Sequence, residues 1–191
     1  MYEKMSEILQ EKIVGDFAIE HFEVGEHDFY ARLHGIESGK YVKLTQNGNV
    51  IMSDTQMEKE TNADFVRNAH GDVLIGGLGI GLIVLAIQDK EAVNTITILE
   101  KNEEVIELVK NQLPLNEKVQ IVNADAFTYK PKMKYNTIYM DIWNYINEDV
   151  YHEEMKPLIA KYRRSLVSKT EDPNRYIDCW CKLQAKKGER I

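Results

Sequence analysis

Three carboxylates and a run of glycines carry the chemistry this sequence could do. Residues 72–81 read DVLIGGLGIG, where an apolar stretch breaks into Gly76, Gly77, Gly79 and Gly81 and the apolar segment Leu82 to Ile87 follows at once. Glycine lets the chain turn sharply and lets a ligand approach the backbone without meeting a Cβ. A helix opening out of such a turn aims its free N–H groups at the ligand. About 20 residues on, Glu100 ends the β-branched segment NTITILE, where an acceptor-only carboxylate can take two ribose hydroxyls together. Asp125 follows KVQIVNA and precedes Ala126 and Phe127. That acid could accept from the exocyclic amine of adenine while Phe127 lies against the ring. Asp141 follows YNTIYM and leads into Ile142-Trp143-Asn144-Tyr145.

The spacing narrows the nucleotide. A dinucleotide fingerprint, G-x-G-x-x-G or a terminal alanine, requires a small residue at position 82, and Leu82 stands there. Gly77, Gly79 and Gly81 instead spell G-x-G-x-G. Each acid also has a plainer use. The glycines could form a bare strand-to-helix turn. Glu100 could help start a helix whose cap is Asn102 with Glu103 and Glu104 in its first turn. Asp125 could be an ordinary loop acid capping a short helix, and Trp143 and Tyr145 could either hold a substrate by their ring faces or cover the sheet edge.

The elements that must place these residues alternate between strand and helix, which predicts a parallel sheet. Strands are expected at 73–75, 94–100, 118–124 and 135–141, with a fifth inside RYIDCWCKL. In such a sheet the ligand lies beyond the carboxyl ends of the strands, which brings Asp141 to the reacting centre. The helix after Glu100 shows one apolar stripe, Val105, Ile106, Leu108, Val109 and Leu113, and Pro114 stops it. EDVYHEEM and PLIAKYRRSLVSK predict two helices broken at Pro157. Ahead of the glycines, MYEKMSEILQEK reads as an amphipathic helix, DFAIEHFEV and DFYARLHG as strands, and Asn47-Gly48 as a type I′ hairpin turn. MEKETNADFVRNA (57–69) predicts one helix. Residues 1–56 are thus expected to form an appendage and residues 57–191 the ligand-binding domain.

Residues 41–145 resemble the class I S-adenosylmethionine-dependent methyltransferases, and within them the spermidine synthases. The likeness rests on the hairpin YVKLTQNGNVIMSDTQMEKE, the glycine loop, ILEKNEEVI, VNADAF and YMDIW. It implies a Rossmann-like α/β fold with a mostly parallel sheet and a small N-terminal β-hairpin appendage. It implies S-adenosylmethionine as cofactor, held by Gly77, Gly79, Gly81, Glu100, Asp125 and Ala126. Asp141 would be the catalytic acid, and Asp141, Trp143, Tyr145 and Glu60 would contact the substrate. The departures bear on aminopropyl transfer. Gly79 stands where the spermidine synthases carry Asp, and Asn144 stands at their second acid, where a general base would be needed. Their gatekeeping Tyr-x-Glu becomes Glu58-Lys59-Glu60, so that only Glu60 survives and Lys59 would repel a dication. The expected function is a methyltransferase acting on a small molecule. An aminopropyltransferase and a non-catalytic S-adenosylmethionine-binding module are the alternatives.

Composition bounds the partners. A net charge of −7 repels a phosphate backbone overall. The basic stretch Lys161, Arg163, Arg164, Lys169, Lys182, Lys186, Lys187 and Arg190 reads as a solvated face, and no D/N-P-P-Y/F motif follows the fourth strand. A nucleic-acid substrate is therefore not expected, nor is a membrane partner, since no apolar run is long enough to cross a bilayer. Cys179 and Cys181 sit two apart on a predicted strand, pointing the same way as Ile177 and Leu183. Two such ligands make no zinc site, so no metal is expected, and a cytoplasmic, reduced protein is. Eight residues after Leu183 leave no room for the usual closing strand pair. The sheet should then stop at five strands, or its edge be covered by the hairpin or by a partner; a homodimer is the expectation.

Overall fold

The computed structural model describes residues 2–33 and 35–189, so Met1, His34 and Arg190 of the segments above lie outside the described residues. The chain opens with a single turn of helix, α1 (Met5–Ile8), not the longer amphipathic helix expected. Met5 and Leu9 are both fully buried; Leu9 is extended, and the strand β1 (Lys12–Val14) follows. β2 (Phe17–Val24), β3 (Gly39–Gln46) and β4 (Asn49–Ser53) complete an antiparallel sheet in the order β1-β2-β3-β4. Asn47 and Gly48 both have positive φ, 50° and 79°, as a type I′ turn requires. The expected strand in DFYARLHG is instead a short helix, α2 (Phe29–Leu33). The Asp28 carboxylate accepts the Ala31 N–H at 2.9 Å, a side-chain cap that alternation of polar and apolar residues does not reveal.

The predicted helix over 57–69 divides into α3 (Gln56–Thr61) and α4 (Ala63–Asn68). Asn62 separates them, its amide donating to the Glu58 carbonyl at 3.0 Å. Then come β5 (Gly71–Gly76), α5 (Leu82–Gln88), β6 (Val93–Glu100), α6 (Glu103–Val109), β7 (Val119–Asn123) and β8 (Thr137–Met140). α6 is shorter than its apolar stripe, giving way to turns before Pro114. After β8, a π-helical stretch (Val150–Met155) runs straight into α7 (Lys156–Tyr162). The break expected at Pro157 is absent. A wider π turn relieves the clash between the proline ring and the carbonyl four residues back. A 3₁₀ turn (Arg163–Ser165) ends the helix well before Lys169. β9 (Tyr176–Cys179) and α8 (Lys182–Lys186) close the chain.

The second sheet is wholly parallel, in the order β7-β6-β5-β8-β9. This is the Rossmann-like α/β arrangement, and it stops at five strands. Its central strand is buried on both faces: Val73, Leu74 and Ile75 have no exposure, as a parallel strand under helices must. α5 is apolar nearly all round and almost wholly buried. Its one buried amide, Gln88, donates to the Pro114 carbonyl and accepts the Asn116 N–H. The N-terminal sheet lays β1 and β2 on α6, and a single apolar core joins Met5, Leu9, Ile19 and Leu44 to the parallel sheet. Cys179 ends β9, but Cys181 lies past it in a left-handed conformation, φ 47°, at the start of α8. The expected shared face therefore fails: both thiols are buried and free, while Leu183 is exposed. Among the described residues, no helix is long and apolar enough to cross a membrane, and no group of three His, Cys, Asp or Glu is placed to hold a metal ion.

Candidate functional site

Chain order reverses between β5 and β8, so the crevice at their carboxyl ends is the switch point of the sheet. A cavity of about 250 Å³ opens there, lined by Gly77, Gly79, Glu100, Asp125, Ala126, Asp141 and Trp143 together with Glu58 and residues of the N-terminal sheet. Seven of the predicted site residues thus meet in one place. Three do not. Gly81 caps α5 at φ 79° and faces Leu113. Tyr145 is exposed beyond the rim. Glu60 points to the outer face of α3, where it accepts from the Gln56 side chain at 2.9 Å.

The glycine loop is held by its own amides. Gly77 N–H donates to Leu99 O at 2.8 Å, Leu78 N–H to the Glu100 carboxylate at 3.0 Å, and Gly81 N–H to Leu78 O at 2.9 Å. Gly77 has φ 93°, and a Cβ there would run into the Asp141 carbonyl oxygen. This glycine is needed for the close approach of β5 and β8. At Gly79, φ 51°, a Cβ would meet the Met52 thioether of β4. The hairpin therefore rests a flexible side chain on the loop.

Glu100 is buried, and its carboxylate takes two backbone donors, Leu78 N–H on one oxygen and Asn102 N–H at 2.8 Å on the other. It ties the glycine loop to the start of α6 while facing the cavity. An ionised carboxylate offers about four acceptor positions, so capacity remains for hydroxyl donors. No helix follows Asp125, so its local role is a turn and not the helix cap expected. One oxygen accepts the Phe127 N–H at 2.7 Å in a local turn, and the residue lines the cavity. The Ala126 carbonyl accepts from the Tyr162 hydroxyl at 2.8 Å and from the Lys161 amine at 2.9 Å. Lys161 of the basic stretch is thereby turned inward, and Lys182 pairs with Asp178. Phe127 is partly exposed at the cavity edge. The Trp143 indole donates to Glu154 at 2.7 Å, which fixes its ring along one wall.

At the floor, Asp141 is set by its N–H bond to Gly76 O at 2.8 Å. Burial pushes its carboxyl up to about 7. Glu58 faces the same space from α3 and is 5% exposed. Burial first, and the Asp141 charge second, push Glu58 up to about 8. Tyr2 feels the charge of both acids: its hydroxyl donates to the Lys59 carbonyl at 3.0 Å and is pushed up to about 12 by burial first, then by Asp141 and Glu58. The gatekeeping expectation is therefore corrected. Glu58, not Glu60, enters the cavity, while Lys59 acts on Asp54 instead of guarding the entrance. A helix brings residues three or four apart onto one face and sends a residue two away elsewhere. That rule, applied with Asp54 and Asn62 as the buried neighbours, separates Glu58 from Glu60.

No protein-family model matches the chain, and no curated protein matches it. Among solved structures, the chain is similar to a complex of DhpI with SAH at 17% identity and TM-score 0.48, covering 64% of this chain and 55% of that one. It is similar to N-methyltransferase NodS from Bradyrhizobium japonicum WM9 at 13% identity and TM-score 0.47, covering 60% and 65%. It is also similar to the plantazolicin methyltransferase BpumL with SAH at 17% identity and TM-score 0.42, covering 58% and 40%. The chain spans about half the length of the DhpI chains it matches.

Proposed function

We propose that this protein is an S-adenosylmethionine-dependent methyltransferase whose acceptor is a small molecule, an amine in the simplest case. One observation carries the reading: Gly77, Gly79, Glu100, Asp125 and Asp141 line a single cavity at the sheet's switch point. The donor set fits such a cofactor. Glu100 retains acceptor capacity for the ribose, Asp125 has a second oxygen for an adenine amine, and Phe127 offers a ring face. The cavity of about 250 Å³ is small for a ligand of this kind, and Met52, resting on Gly79, is the side chain whose rotation enlarges it. Bound there, S-adenosylmethionine supplies an electrophilic sulfonium methyl group. The chain's own contribution is positioning. Trp143 and the hairpin residues Leu44 and Ile51 wall off water, and Asp141 orients the acceptor nitrogen.

A second reading, aminopropyl transfer, gains from one observation: Glu58 provides beside Asp141 the second acid that Asn144 does not. Thermal shift with S-adenosylmethionine, its decarboxylated form and S-adenosylhomocysteine tests both, since a ligand raises the midpoint by mass action. A rise with S-adenosylmethionine and S-adenosylhomocysteine supports methyl transfer. A rise with the decarboxylated form alone, followed by methylthioadenosine production with putrescine, would favour the second reading. Binding without turnover over a panel of acceptors would leave a non-catalytic module, and no shift with any of the three would remove the cofactor assignment. A homodimer remains part of the proposal, to be read by light scattering.

A further inference from the structure

We propose that Glu58 accepts the proton of the attacking nitrogen, working as one member of a carboxyl pair with Asp141. This rests on the reading of the cavity as a methyl-transfer site. The two acids come from separate elements, α3 and the end of β8, and converge on one cavity. No side chain donates a hydrogen bond to Glu58 among the described residues; its contact is the Ser53 backbone amide. A glutamate 5% exposed, without a basic partner and aimed into a cavity, is a costly arrangement for structure alone. The groups whose charge acts on Glu58 or responds to it are Asp141, Tyr2 and Cys181. None of these is basic. Lys101 lies among the cavity's lining residues near Glu100, at the opposite, nucleotide-binding end. A cationic nitrogen is therefore the complement the pair lacks.

The step balances simply. The bound ammonium first displaces to solvent the proton that Glu58 holds near neutral pH. An ammonium N–H proton then passes to an oxygen of the ionised Glu58 so formed, and the freed lone pair closes on the methyl carbon. The carbon–sulfur bond breaks with its electron pair going to sulfur. An alkylammonium near 10.4 loses its proton to an ordinary carboxylate against a ratio of about 10⁶. With Glu58 pushed up to about 8, that ratio drops to roughly 10² to 10³. Asp141 then stabilises the remaining positive charge on nitrogen.

The test is calorimetric titration of the full chain with n-butylamine as probe and n-butanol as neutral control. It is run at neutral pH in two buffers of different ionisation enthalpy, with and without S-adenosylhomocysteine. Butylamine should bind with a measurable proton exchange and butanol should not. Glu58→Gln should weaken the amine by about tenfold or more and remove the proton exchange, leaving S-adenosylhomocysteine affinity unchanged. Unchanged amine affinity in Glu58→Gln would overturn the proposal. So would a loss of S-adenosylhomocysteine binding in that variant, because Glu58 would then hold the cofactor. If the wild type binds no S-adenosylhomocysteine but Glu58→Gln still abolishes amine binding, the cofactor reading fails and the amine-binding pair stands. Carbon NMR of the unmodified protein gives a check independent of any variant. Two coupled titration steps near neutrality support the pair, and two independent steps in the ordinary carboxylate range overturn it.

Discussion

Replacing Glu58 by Gln should stabilise the protein above neutral pH and leave its stability unchanged in acid. The sign follows from the direction of the shift. The folded state raises Glu58 from 4.5 to about 8, so it holds a proton that the unfolded chain releases. This group's contribution is therefore fully favourable below 4.5 and is lost as pH climbs through about 8. At about 1.4 kcal/mol for each factor of ten, the rise corresponds to roughly 5 kcal/mol. Residual compactness of the unfolded chain brings the expected effect to about 3 to 5 kcal/mol. That is a large share of a domain's stability of about 5 to 15 kcal/mol. Gln keeps the shape and an acceptor for the Ser53 amide but cannot ionise. Urea unfolding of both proteins across a pH series supplies the measurement. The two curves should coincide near pH 4 and separate steadily, with the gap flattening above 8. Asp172, held below the ordinary carboxylate range by its bonds to Asn136 and His70 despite the burial that opposes them, erodes stability in acid. It does so equally in both proteins and cancels in the difference. A variant no more stable than wild type above pH 8 would refute the reasoning.

Other substitutions probe the rest of the cavity. Glu100→Ala should weaken S-adenosylhomocysteine binding by roughly 1.5 to 3 kcal/mol and also lower stability, because Leu78 and Asn102 N–H lose their acceptor; calorimetry and urea unfolding separate the two, and full affinity would sink the ribose role. Gly77→Ala should destabilise far more than Gly79→Ala, since the first collides with backbone and the second with the movable Met52. Adding Met52→Ala should recover part of the Gly79→Ala loss, leaving the strain of the left-handed φ; equal melting temperatures for the two single variants would contradict this. Trp143→Phe removes the donor to Glu154 and should cost about 1 kcal/mol, measurable by urea unfolding, with a larger loss of turnover on any acceptor found.

Much of the parallel half was legible because local signals there agree with tertiary need. Val73-Leu74-Ile75 is apolar on both faces because β5 is covered on both faces, and a glycine turn can hardly be read otherwise. The N-terminal half yielded less. Whether residues 28–33 form strand or helix is decided by one side-chain cap at Asp28, and Met5 to Leu9 is shaped by burial of two residues more than by helix propensity. Pro157 does stand in the first turn of α7, where its missing N–H is tolerated, but the π turn ahead of it carries the helix through without the break expected.

The site divides along the same line. Glu100, Asp125 and Asp141 could be placed because each ends a strand of a parallel sheet, and the topology alone carries strand ends to one crevice. Glu58 has no such anchor. It lies on a six-residue helix ahead of the sheet, and its direction depends on where Asn62 interrupts that helix and on how deeply Asp54 and Thr55 are drawn into the core. From the sequence, Glu60 is the acid matched to the gate, whereas the fold turns Glu58 into the cavity and leaves Glu60 on the exposed side of α3. Inferring function from the sequence motif alone would make Asn144 a missing base. With the second acid supplied from α3 instead, the absence of a carboxylate at 144 no longer argues against proton transfer in this cavity.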